Sequence, residues 1–128
     1  MPRPEAAEGA TGWARYRAWL LPALQAQCAS EAELLDDILA GRAQLWAGAA
    51  AAMVTQRIRE GEALCLHVWL AGGDLTEILE MRAGVEAWGR AQGCHYVTIE
   101  GRAGWSRALR KHGYARCGNE LKRMLSDG

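Results

Sequence analysis

Hydrophobic residues recur along this chain with two different periods. Tyr16, Leu20, Leu24 and Cys28 return every four residues with Trp19 alongside, which predicts an amphipathic helix from Trp13 onward that Pro22 would kink. A second helix is predicted after Ser30. Ser30-Glu31-Ala32-Glu33 has the serine-to-glutamate capping spacing, Leu34, Leu35, Ile38 and Leu39 follow at helical intervals, and Gly41 stands where a helix should stop. Beyond Gly41 the period drops to two, the spacing of strands. Gln44-Leu45-Trp46 reads as a short strand and residues 53–58 as its hairpin partner. Residues 63–71 form a third strand, with Leu64, Leu66, Val68 and Leu70 expected on one face and Cys65, His67 and Trp69 on the other. Apolar character on both faces implies a central strand covered on both sides.

After Gly72-Gly73 the helical period returns. Asp74 is placed to cap a helix carrying Leu75, Ile78, Leu79, Val85 and Trp88 as far as Gly93. Residues 94–100 then read as a strand, and this strand-helix-strand unit suits a right-handed parallel crossover. A last helix is expected over 103–112, ended by Gly113. Two closing strands over 114–117 and 121–125 are divided by Gly118-Asn119. The predicted order is helix, helix, three strands, helix, strand, helix, two strands, an α/β fold in one domain over residues 13–125. Residues 1–12, rich in Pro, Ala, Gly and Glu without periodicity, are expected to be a loose tail, and 126–128 a short one.

Composition narrows the function classes. The chain has 128 residues, 50% hydrophobic, and balances 15 basic against 15 acidic side chains. Such a domain can bury a core without disulfides or a structural metal, and its neutrality removes whole-molecule attraction to nucleic acid or anionic lipid. The longest near-apolar run, residues 46–54, is far short of the roughly 20 residues that cross a bilayer, and residues 1–10 lack the apolar core of a secretory signal. A cytoplasmic location follows as an expectation. Cys28, Cys65, Cys94 and Cys117 are too scattered for the usual zinc spacings and read as small buried hydrophobes, so no metal site is expected. Phenylalanine is absent while six tryptophans are present, which makes tryptophan the bulky core residue.

The element order and the texture of residues 63–114 resemble the GNAT acyltransferase superfamily. Val85-Glu86-Ala87-Trp88-Gly89-Arg90-Ala91-Gln92-Gly93-Cys94 before a strand looks like the end of that superfamily's central helix, and Ala108-Leu109-Arg110-Lys111-His112-Gly113-Tyr114 is similar to its helix-to-strand corner. More narrowly, residues 38–46 and Gly101-Arg102-Ala103-Gly104-Trp105 look like a small GNAT-like group of phage and prophage genomes. The resemblance implies a mixed central sheet of about six strands with helices on both faces.

The departures from the family bear on function. Its enzymes hold the acyl-CoA pyrophosphate in a glycine-rich loop at a helix N-terminus, where backbone amides approach phosphate. Here Ala71, Gly72, Gly73 and Asp74 are the only cofactor-binding candidates. The glycines come too early, the usual basic residue is missing, and Asp74 and Glu77 bring negative charge. The family's general acid, a tyrosine in the last helix, aligns with Leu109. His67 is the one candidate base on the central strand, and Glu100 reads as a solvated or ion-paired carboxylate. The expectation is a GNAT-like protein without acetyl transfer, acting as a binding or assembly component through a protein partner or self-association. Its candidate surface is Arg102, Trp105, Arg107, Arg110 and Lys111; nucleic acid is the weaker occupant of that cluster. The alternative is an active N-acetyltransferase using acetyl-CoA with an atypical loop.

Overall fold

A computed structural model describes residues 13–26, 30–100 and 105–125. The expected tails and Arg102 lie outside them, as does Cys28. In chain order the elements are α1 (Trp13–Ala26), α2 (Glu31–Leu39), β1 (Ala43–Ala47), β2 (Ala51–Glu60), β3 (Ala63–Gly73), α3 (Leu75–Ala91), β4 (Tyr96–Glu100), α4 (Trp105–Arg110), β5 (Ala115–Cys117) and β6 (Glu120–Met124). This is an α/β fold with one mixed sheet of six strands, ordered β1-β2-β3-β4-β6-β5. All neighbouring pairs are antiparallel except β3 and β4, which are parallel and joined through α3. No helix among the described residues is long and apolar enough to cross a membrane.

Local chemistry accounts for the helix starts. The Ser30 hydroxyl accepts a hydrogen bond from the Glu33 N–H at 3.3 Å, and the Asp74 carboxylate accepts from the Glu77 N–H at 3.0 Å. Each side chain thereby satisfies one of the backbone donors that a helix leaves unpaired in its first turn.

Two apolar clusters flank the strands. Leu20, Ala23 and Leu24 of α1 and Leu34 and Ile38 of α2 pack on Ala43, Leu45, Ala52, Val54 and Leu70. Ile78 and Val85 of α3 and Leu109 of α4 pack on Trp46, Met53, Leu66, Val68, Val97, Ile99 and Leu121. The clusters draw on alternate residues of the same strands, Leu45 for one and Trp46 for the other, as the pleat requires. Trp46, 5% exposed, meets Trp88 edge to face with ring centroids 5.7 Å apart. Its indole N–H donates to the Thr55 hydroxyl at 3.0 Å, which donates in turn to the Gln44 side chain at 2.8 Å, so the polar atoms at the β1–β2 seam are paired.

The alternation expected for β3 holds only in part. Val54 of β2 pairs with Leu70 but the next residue, Thr55, pairs with Val68, leaving Trp69 as a bulge. Leu66 and Val68 therefore face the α3 cluster, while Leu70 belongs to the α1–α2 cluster and Ala71 to the α3 cluster. One extra residue reverses the two faces, and hydrophobicity alone could not reveal it, because every residue from 63 to 71 except His67 is apolar.

A buried ionic network ties α3 to the closing strands. Glu86 is 4% exposed, and its carboxylate accepts hydrogen bonds from Arg82 at 3.1 Å, Arg123 of β6 at 2.6 Å and the Tyr114 hydroxyl at 2.7 Å. Arg82 also donates to the His112 ring at 2.7 Å. Burial, with the adjacent Glu86 charge, pushes the Tyr114 phenol far above its ordinary range, so Tyr114 remains a donor.

Candidate functional site

The resemblance would put a phosphate at the N-terminus of α3. Strand β3 reaches it through Gly72 and Gly73, and both glycines are explained by close approach of other backbone. A Cβ on Gly72 would lie 1.9 Å from the Trp19 carbonyl oxygen of α1, and one on Gly73, whose φ is +103°, would lie 2.3 Å from the Ala50 carbonyl oxygen. The Asp74 N–H donates to that Ala50 carbonyl at 2.8 Å. The Ala50 N–H donates to both oxygens of Glu77, at 2.9 and 3.1 Å. With the Asp74 carboxylate capping the Glu77 N–H, the first turn of α3 is held to the β1–β2 turn by the Glu77 carboxylate and the Asp74 N–H, both on Ala50. The Asp74 amide that an anion would use is occupied, and the positive end of the helix is already compensated. Ala71, 3% exposed, belongs to the core.

His67 occupies a second place, a pocket of about 140 Å³ lined by Ile58 and Glu60 of β2, Cys65 and His67 of β3, Thr98 of β4 and Glu120 of β6. Cys65 and His67 are one pleat apart on β3, and parallel pairing sets His67 opposite Thr98. The His67 Nδ1 lies 2.8 Å from the Thr98 hydroxyl and 3.5 Å from the Glu120 carboxylate, and the Cys65 Sγ lies 3.3 Å from the same hydroxyl. Burial lowers the imidazole pKa below its ordinary value, against the pull of Glu120, Glu60 and Glu100, so His67 is neutral at pH 7. Burial pushes the Cys65 thiol up, which keeps it protonated and a poor nucleophile. The expectation that β3 is covered on both sides fails here: Ile58 is 39% exposed and the pocket opens beside it, since α1 and α2 pack over the other end of the strand.

At the rim, the Tyr96 hydroxyl donates to Glu60, and the Lys122 ammonium lies 3.9 Å from the centre of the Tyr96 ring. The hydrogen bond to Glu60 is the main cause that pushes the Tyr96 phenol up to about 12. The arrangement sets one neutral imidazole between the Glu60 and Glu120 carboxylates, with the Lys122 ammonium at the rim. Glu100, at the end of β4, is exposed. Among the described residues no three His, Cys, Asp or Glu side chains gather to hold a metal ion.

The α4 surface divides. Trp105 is half-buried and packs against the α3 cluster, while Arg107, Arg110 and Lys111 are exposed. Leu109, where the resemblance would put a general acid, is 3% exposed in the core. Sequence reasoning passed over Glu77 and Glu86 as structural anchors. Glu86 could have been found, because Arg82, Glu86 and Gly89 share the helical stripe of Ile78 and Val85; nothing local marks Glu77, whose partner is 27 residues away. No protein-family model matches the chain, and no curated protein matches it.

Proposed function

We propose that this chain is a GNAT-like protein whose acyl-CoA site is closed, and that it works as a binding or assembly component rather than as an acyltransferase. The six-stranded mixed sheet, with α3 crossing between its single parallel pair, is compatible with that fold. The observation that carries the functional half is the clamp at the start of α3, where the Asp74 and Glu77 carboxylates take up the Glu77 and Ala50 amides. A phosphate about 6 Å from one such carboxylate meets a repulsion of roughly 2 to 3 kcal/mol at an effective dielectric near 20, as much as an important contact contributes. Arg107, Arg110 and Lys111 of the α4 region remain a candidate partner surface, and a cytoplasmic, phage or prophage setting belongs to the same proposal.

The opposite reading, an N-acyltransferase with an atypical loop, is favoured by one feature. β3 pairs with β4 only from Cys65 to Val68 and then runs on to Gly73, whereas β4 ends at Glu100, so among the described residues the last stretch of β3 before α3 has no strand on that side. Catalysis there would rest on positioning an amine beside the thioester, with His67 the nearest candidate base. Calorimetric titration with acetyl-CoA and CoA at low salt separates the two readings. We expect no saturable binding up to about 1 mM. Micromolar binding that strengthens in Asp74→Ala would overturn the proposal and direct attention to amine acceptors.

A further inference from the structure

Strand β2 outruns its outer neighbour. β1 begins at Ala43, opposite Gln56, so residues 57–60 of β2 have a strand, β3, on one side only. Along the other side, and reaching Leu64 at the start of β3, lies a groove of about 750 Å³ lined by Asp37 of α2, by Ala40, Gly41 and Arg42 of the α2–β1 turn and by residues 56–59 of β2 itself. The direction of the free backbone groups follows from the pairing already described. The Ala51 carbonyl accepts from Gly48 on the β1 side, whereas the Ala50 carbonyl accepts from Asp74 on the β3 side. Backbone groups alternate in direction along a strand, and the bulge lies in β3, so the odd-numbered residues of β2 keep turning towards β1. The N–H and C=O groups of Arg57 and Arg59 therefore point into the groove, beyond the end of β1.

Side chains set the chemistry of this edge. Arg57 lies over the Trp88 ring at 5.9 Å and donates to the neutral Gln92 side chain. Arg59 shares that face and is exposed, and Ile58 presents an apolar side chain on the opposite face. Neither Arg57 nor Arg59 makes an ion pair among the described residues, while Arg42 is held by Asp36 and Asp37 at 2.7 and 2.8 Å. The edge thus carries two cations without an ion-pair partner among the described residues, on alternate residues with one apolar side chain between them, while Asp37 on the facing wall is engaged by Arg42.

We propose that this edge of β2 receives an extended acidic segment of a partner protein, which adds as a short strand in line with β1. The segment would carry acidic, apolar and acidic residues in succession: two carboxylates opposite Arg57 and Arg59 on one face, and the apolar residue against Ile58 on the other. A second copy of this edge is a poor occupant, because it would set arginines against arginines. The groove flanks the start of β3 and the clamp lies at its other end, so this surface acts whatever the chain's response to acyl-CoA.

The test uses the whole chain and a short fluorescent peptide with a Glu-Val-Glu centre in a threonine-rich extended frame, compared with the same peptide carrying Lys-Val-Lys. Anisotropy reads binding, and hydrogen exchange reads the Arg57 and Arg59 amides. We expect saturable binding of the acidic peptide, roughly tenfold weaker with Lys-Val-Lys or with Arg59→Glu, and partial recovery when Arg59→Glu meets Lys-Val-Lys. Exchange at both amides should slow on binding. Arg59 is exposed, so the variant should fold, and circular dichroism checks that it does. Absence of binding at about 1 mM overturns the proposal, as does binding without protection of the two amides. Displacement of the peptide by an oligothymidylate with the same dependence on Arg59 would instead make the groove a nucleic-acid site.

Discussion

Replacing Glu86 by leucine tests whether the ionic network between α3 and the closing strands holds the fold. The leucine fits the volume but accepts nothing, so Arg82, Arg123 and the Tyr114 hydroxyl lose a common acceptor that now lies 2.6 to 3.1 Å from them. Removing one partner from a buried ionic cluster typically costs about 3 to 5 kcal/mol. The arginine side chains retain 20% and 30% exposure and can turn partly to water, which places the expectation near the lower end, about 3 kcal/mol. For a chain of this length that corresponds to a fall in Tm of roughly 10 °C. Thermal and urea unfolding followed by circular dichroism would measure it. Glu86→Gln, which keeps an acceptor oxygen, should fall between wild type and Glu86→Leu. Adding Arg123→Met to Glu86→Leu should recover part of the loss by removing one stranded cation. A Tm for Glu86→Leu within about 2 °C of wild type would refute the assignment of this network as a stabilising anchor.

Two further outcomes are expected. Gly72→Ala drives a Cβ into the Trp19 carbonyl of α1, so α1 must shift, and urea unfolding should show a loss of about 3 kcal/mol; an unchanged midpoint would contradict the close approach. Tyr96, raised from 10.0 to about 12 by its bond to Glu60, should ionise late in an ultraviolet titration, and Glu60→Gln should bring its midpoint down. Since the folded pKa lies above the unfolded one, the stability this contact contributes is fully present below pH 10 and is lost as the pH rises towards 12.

The elements of this fold were legible where sequence signals are local. Ser30 and Asp74 cap the helices they precede, and the change of period at Gly41 marks the passage from helix to sheet. The faces of β3 were not legible beyond Val68, because a bulge depends on the partner strand and leaves no trace in an unbroken apolar run. The candidate site was legible in its chemistry but not in its cause. The charges of Asp74 and Glu77 already argued against a phosphate cradle, yet their engagement with Ala50, and the demands of Trp19 and Ala50 on the two glycines, join residues from 23 to 53 positions apart. His67 stood out as the central strand's lone titratable side chain apart from cysteine, whereas its companions Glu60, Thr98 and Glu120 came together only through strand order.

The bulge at Trp69 also constrains how this chain can change. From that point on, the side chains of β3 keep their places only because one residue is out of phase with its partner. Straightening the strand so that Trp69 took a regular place opposite Val54 would not be a local adjustment. It would turn Leu70 towards the α3 layer and Ala71 towards α1 and α2, putting a leucine where the packing fits an alanine and leaving a hole where it needs a leucine. Loss of Trp69 itself would instead leave Leu70 opposite Val54 in an unbroken pleat, so it is the bulge, and not the number of residues, that keeps the two interiors of the protein apart. Lineages carrying this strand can lose the bulged residue, but they cannot keep it and flatten the strand around it.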